Sequence, residues 1–143
     1  MRKFSSYGQR GGCVTTPKTA FLTLLFNDTF YIADSETALE RGYADLTLIL
    51  RPEMRRYQLL DILIEFKYVA LADTRLTREQ ARSLSAAEVA TLPVVQTKLT
   101  EAQARLPGYR QALARRYGQA LRLRTYAVVA LGFDRLTWTE VVG

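Results

Sequence analysis

Histidine is absent from the 143-residue sequence, and cysteine occurs once, at Cys13. Without imidazole there is no Ser-His-Asp or Cys-His nucleophile system and no histidine-rich zinc site. One thiol builds neither a cysteine-only zinc site nor an internal disulfide, so nothing in the chain needs an oxidising compartment and a reducing cytoplasm is expected. Chemistry is left to carboxylates, lysine, tyrosine, hydroxyls or a metal held by oxygen ligands. No apolar run approaches the roughly 20 residues that span a bilayer; the longest, such as 126–131, stop after a few positions. The basic start at Arg2 and Lys3 leads into Gly8, Gln9, Arg10, Gly11 and Gly12, where a signal peptide needs apolar residues. Export and membrane readings therefore drop out. These glycines also lack the following Lys-Ser/Thr of a phosphate-cradling loop, so the chain is not expected to bind ATP itself.

Acidic residues are scarce at both ends. Residues 1–27 carry Arg2, Lys3, Arg10 and Lys18 with no acid, and residues 101–124 carry six arginines against Glu101 alone. The net charge is +6, from 20 basic and 14 acidic side chains. Such a distribution suits a polyanion such as nucleic acid, and it equally suits arginines that solvate a helix face. With 48% apolar and 24% charged residues, the composition is that of an ordinary globular chain, with enough length for one domain and no repeat or low-complexity tract. The reading is a single domain over 16–143 behind a flexible or truncated lead-in, 1–15.

Local patterns give the element order. Thr16 as N-cap and Pro17 at the first helical position open a short helix to about Asn27, with Ala20, Phe21, Leu24 and Leu25 at helical spacing. Strands are expected over 29–34, 44–51 and 59–68, with a turn or loop from 35 to 42, as a meander of antiparallel strands. From Leu76 to Arg116 the period becomes helical, with capping-box patterns at Thr77 to Gln80 and Ser85 to Glu88 and breaks at Pro93 and Pro107. Two or three helices fit there. Strand character returns over 123–132 and 136–142. The order αβββαβ with a last strand predicts a mixed sheet flanked by helices, an α/β fold.

Alternation along 59–68 places Asp61, Leu63, Glu65 and Lys67 on one face of a strand whose aliphatic content suggests a central position. A carboxylate and an ammonium are costly there unless paired or coordinated. One reading is a structural Glu65–Lys67 ion pair, with Asp45 accepting a hydrogen bond across the sheet. The other is that Asp45 and Glu65 project from neighbouring strands toward one Mg²⁺, a hard cation that favours carboxylate and water oxygens, with Lys67 beside the attacking water. Arg110, Arg115 and Arg116, interleaved with Tyr109 and Tyr117, could grip phosphate while tyrosine stacks on sugars or bases. No base-reading motif is visible.

Four runs occur in order: KTAFLTLLF (Lys18 to Phe26), Ser35-Glu36, GYADLTL (Gly42 to Leu48) and ILIEFKY (Ile62 to Tyr68). Over about Lys18 to Trp138 they resemble the PD-(D/E)XK nuclease domain found at the C-terminus of AAA-ATPase-like bacterial proteins. The resemblance implies a restriction-endonuclease-like core and Mg²⁺-dependent phosphodiester hydrolysis of DNA or RNA, with Mn²⁺ as a substitute metal. It puts the metal-binding acids at Asp45 and Glu65 and the catalytic lysine at Lys67. It further implies a glutamine on the following helix, Gln103 six residues before Tyr109 with Gln111 as the competing choice, and an acid of the Ser-Glu element, Glu36, near the metal. An ATPase-like domain or protein is the implied partner. The acid that related domains offer before the KTAF run has no counterpart near Val14, since the first acid is Asp28. The chain therefore reads as either an active nuclease or a degenerate nuclease-fold module that binds nucleic acid or docks the ATPase partner without cleaving. The segment 76–98 reads as an inserted helical pair or lid.

Overall fold

A computed structural model describes residues 30–39, 42–118 and 121–142, with the backbone alone for 35–39 and 42–44. The lead-in at 1–15 and the helix expected at 16–27 lie outside the described residues. Five strands form one sheet in sequence order: β1 (Tyr31–Leu39), β2 (Gly42–Leu50), β3 (Asp61–Val69), β4 (Leu123–Leu131) and β5 (Arg135–Glu140). β1, β2 and β3 run antiparallel, β3 and β4 are parallel, and β5 returns antiparallel to β4. Between β3 and β4 come α1 (Arg78–Ser83), α2 (Ala86–Thr91) and the 25-residue α3 (Pro93–Tyr117). The expected α/β architecture, a mixed sheet with flanking helices, is what the chain adopts.

The helix starts follow the sequence closely. Thr77 and Ser85 each accept the backbone N–H of the residue three positions on, Gln80 and Glu88, whose side chains bond back to the cap backbone. Two other expectations are corrected. Pro107 does not break the helix: α3 runs through it, because Leu106, Tyr109 and Leu113 on either side are buried against the sheet while Pro107 lies on the exposed side. There the carbonyl it leaves without an N–H partner is within reach of water. The stretch after Asp34 is strand rather than loop to Leu39, with Thr37, Ala38 and Leu39 opposite Ala44, Tyr43 and Gly42. Cross-strand pairing outweighs the weak strand preference of Ser35, Glu36 and Ala38.

Two cores sandwich the sheet. On one face, Val95, Leu99, Ala102, Leu106, Tyr109 and Leu113 of α3 recur at steps of four and three and pack on β3 and β4. On the other, Leu46, Leu48, Ile64 and Val128 are buried together. β3 is consequently covered on both sides, and every polar group on it must find a partner. At the turn into β5, Gly132 holds φ 54°, and a Cβ there would come within 3.3 Å of Leu71, so the turn requires glycine. Among the described residues no helix is long and apolar enough to cross a membrane.

Candidate active site

The β2–β3 ladder is short. Only Leu46–Ile64, Thr47–Leu63 and Leu48–Ile62 are paired, and beyond each end the strands part. A backbone amide left at such an opening needs an acceptor, and an aspartate supplies one at both ends: Asp61 Oδ1 accepts the Leu50 N–H at 2.8 Å, and Asp45 Oδ2 accepts the Phe66 N–H at 2.8 Å. The hydrogen bond expected of Asp45 across the sheet is therefore present, and it anchors that carboxylate at the mouth of the opening. Asp61, 0% exposed, is saturated, since it also accepts two N–H groups of Arg55 and the Arg122 N–H.

Glu65 lies one register step beyond the last pair, the position that faces Asp45. It is 1% exposed. Two donors meet the same oxygen: Lys67 Nζ donates to Oε1 at 2.9 Å and Arg105 Nη1 donates to it at 3.2 Å. The other oxygen, Oε2, is buried and has no hydrogen-bond partner. A buried carboxylate oxygen without a donor costs free energy that nothing in the protein recovers. It fits a site that takes a further group. The register carries the row outward too: partners step from Ser35–Leu46 to Thr37–Ala44, so Glu36 occupies the β1 position opposite Asp45. The Glu36 side chain lies outside what the structure describes.

Helix α3 supplies the other wall. Arg105, one turn before Tyr109 of the buried stripe, borders that stripe on the side that meets Glu65. The Glu65 carboxylate first, and then Tyr109, hold the Arg105 guanidinium above its ordinary pKa. Burial first, and then the Glu65 charge, push the Tyr109 hydroxyl up. Glu101 lies lower on the same flank, its carboxyl held below its usual value chiefly by the hydrogen bond from Lys98, with smaller contributions from the Lys67 and Arg105 charges.

Asp45, Glu65 and Lys67 are thus brought to one opening. Gln103 is not: two residues from Arg105, it lies about 160° round the helix axis from the residue that reaches Glu65. Gln111 is exposed. Tyr109 belongs to the core, 7% exposed, and its ring is not available for stacking. Arg110 is half-buried, and Arg115 and Arg116 are exposed at the far end of α3, the latter over the Tyr117 ring at 5.6 Å. Those two sit about 15 Å along the helix from Arg105. Sequence reasoning passed over Arg105, although its place four residues before Tyr109 and three after Ala102 signals a residue on the rim of the buried stripe.

The donor set is hard. Two carboxylates with water and phosphate oxygens suit Mg²⁺, which takes one or two protein carboxylates and keeps waters. Among the described residues no group of three or more His, Cys, Asp or Glu side chains gathers to hold a metal, at this opening or elsewhere, so the two carboxylates stand as the protein's share of the donor set.

The sequence profile of the PD-(D/E)XK nuclease superfamily matches residues 18–132. The chain belongs to that superfamily, and its mixed sheet with flanking helices is the restriction-endonuclease-like core. No curated protein and no solved structure gives a match.

Proposed function

We propose that this member of the superfamily is a divalent-metal-dependent nuclease hydrolysing phosphodiester bonds of DNA, with RNA as the other candidate substrate. The observation that carries the reading is the buried, unpartnered Oε2 of Glu65 in the same opening as Asp45 and Lys67. Glu65 and Asp45 would hold Mg²⁺ or Mn²⁺. When bound, such an ion polarises the scissile phosphate and the water beside it. Lys67, its side chain 20% exposed and anchored on Glu65 Oε1, reaches solvent at the site mouth. There its ammonium orients the attacking water and offsets charge that builds on the phosphorane oxygens. The held carboxylate and ammonium give a near-fixed constellation, which is what a hydrolytic step with little covalent involvement of the protein requires.

One observation favours a second reading, a binding module that no longer cuts. Only two carboxylates of the described residues face the opening, and each already accepts a protein donor. The two readings separate cleanly. Labelled single- and double-stranded DNA and RNA are incubated with the protein in Mg²⁺, Mn²⁺ or EDTA, beside Asp45→Ala and Lys67→Ala. Metal-dependent cutting lost in both variants is the expected result; salt-sensitive binding without cutting would move the assignment to the module. The reading includes a cytoplasmic location and an ATPase-like partner, and co-purification of such a protein with the tagged chain tests the latter.

A further inference from the structure

We infer that Arg105 is a substrate-binding residue of this site, the group that grips a non-bridging oxygen of the phosphodiester next to Lys67. The inference deepens the nuclease reading and rests on it. Three features of the arginine argue for more than a counter-ion. Lys67 already neutralises Glu65, with the shorter contact and the more buried side chain, 2.9 Å and 20% exposed against 3.2 Å and 57%. An arginine that served Glu65 alone would approach it with a two-pronged fork, one N–H group to each carboxylate oxygen. Instead it touches Oε1 only and leaves Oε2 without a partner. The guanidinium carries five N–H donors, and most of its side-chain surface stays open to solvent although its tip reaches a carboxylate that is 1% exposed.

The support beneath it is rigid. Leu106 and Tyr109, on the same turn of α3, are buried in the core shared with Leu63 and Ala127, so the Cα of Arg105 is fixed while its end can move. That combination suits a planar, permanently charged group recognising phosphate. In the free protein the guanidinium rests on Oε1; with substrate present, its outward N–H groups engage the phosphate at the same mouth where Lys67 reaches solvent. Arg105 is the arginine of α3 that donates to Glu65, whereas Arg115 and Arg116 lie about 15 Å further along the helix.

The test is the salt dependence of binding. Anisotropy of a fluorescein-labelled DNA duplex is titrated in EDTA over a series of KCl concentrations with wild-type protein, Arg105→Ala, Arg105→Lys and, as a charge control, Arg78→Ala, which removes an exposed arginine paired with Asp134. Each phosphate contact contributes about 0.9 to the slope of log K against log salt. Arg105→Ala is expected to lose about one unit of slope and roughly tenfold in affinity, Arg105→Lys to keep the slope with weaker binding, and Arg78→Ala to match wild type. In Mg²⁺ the Ala variant should raise KM more than it lowers kcat. A folded Arg105→Ala with wild-type slope and KM overturns the inference while leaving the nuclease intact. A wild-type protein that neither binds nor cuts nucleic acid overturns the nuclease reading itself.

Discussion

Asp61 and Glu65 are two buried carboxylates on one face of one strand, and they should respond to the same isosteric change in opposite ways. Asp61 spends both oxygens on four donors: Oδ1 on the Leu50 N–H and Arg55 Nη2, Oδ2 on Arg55 Nη1 and the Arg122 N–H. Asp61→Asn turns one oxygen into an NH₂ group, and either orientation sets it against an arginine donor and a backbone amide, that of Leu50 or that of Arg122. The strand also loses the charge that compensates Arg55. Removing one partner of a buried, hydrogen-bonded pair costs about 3–5 kcal/mol; the 23% exposure of Arg55 lets its guanidinium recover water and puts the expected loss at about 3 kcal/mol. For 143 residues the unfolding entropy is about 300 cal/mol/K, so the melting temperature should fall by about 10 °C. Glu65→Gln keeps a carbonyl oxygen for Lys67 and Arg105, both able to turn to solvent, and its amide replaces an oxygen that had no partner. Its stability should stay within about 1 kcal/mol of wild type, while metal-dependent cleavage is lost. Urea unfolding with unchanged m-value, followed by the cleavage assay, measures both. If Glu65→Gln melts as low as Asp61→Asn, or if Asp61→Asn costs less than about 1 kcal/mol, the division into a structural and a functional carboxylate is wrong.

Leu106→Ala removes a fully buried side chain from the centre of the α3 stripe and should cost about 3 kcal/mol, read as a lower urea midpoint; a loss below about 1 kcal/mol would mean that α3 is not seated on β3 and β4 through this residue. Tyr109 gives a pH signature. Its folded-state pKa lies above the ordinary 10.0, so as the pH rises past 10 the unfolded chain gives up its proton first, and stability falls until the folded-state pKa is passed. Urea midpoints between pH 8 and 11 should therefore decline less steeply in Tyr109→Phe than in wild type. Identical slopes would show that the hydroxyl is not held in the buried, carboxylate-facing position described.

Much of the fold is local and was legible. Hydroxyl caps followed three residues later by Gln80 and Glu88 start helices whatever packs on them, and alternation in ILIEFKY puts Glu65 and Lys67 on one face because successive strand residues point to opposite sides. What escaped the local reading depends on distant residues. Pro107 sits inside a helix because buried neighbours hold both halves to the sheet, and residues 35–39 become strand only by pairing with β2. The site follows the same division. The sequence determined which acids and which lysine exist, and that no histidine or cysteine chemistry competes with them. The tertiary structure alone decided that the β2–β3 ladder ends at Leu46 and Ile64, so that Asp45 caps a free amide there while Glu65 keeps an oxygen without a donor. It also decided that α3 meets that opening with Arg105 rather than Gln103, because the phase of a helix about its own axis is set by which stripe the sheet buries, and that is known only once the two are packed.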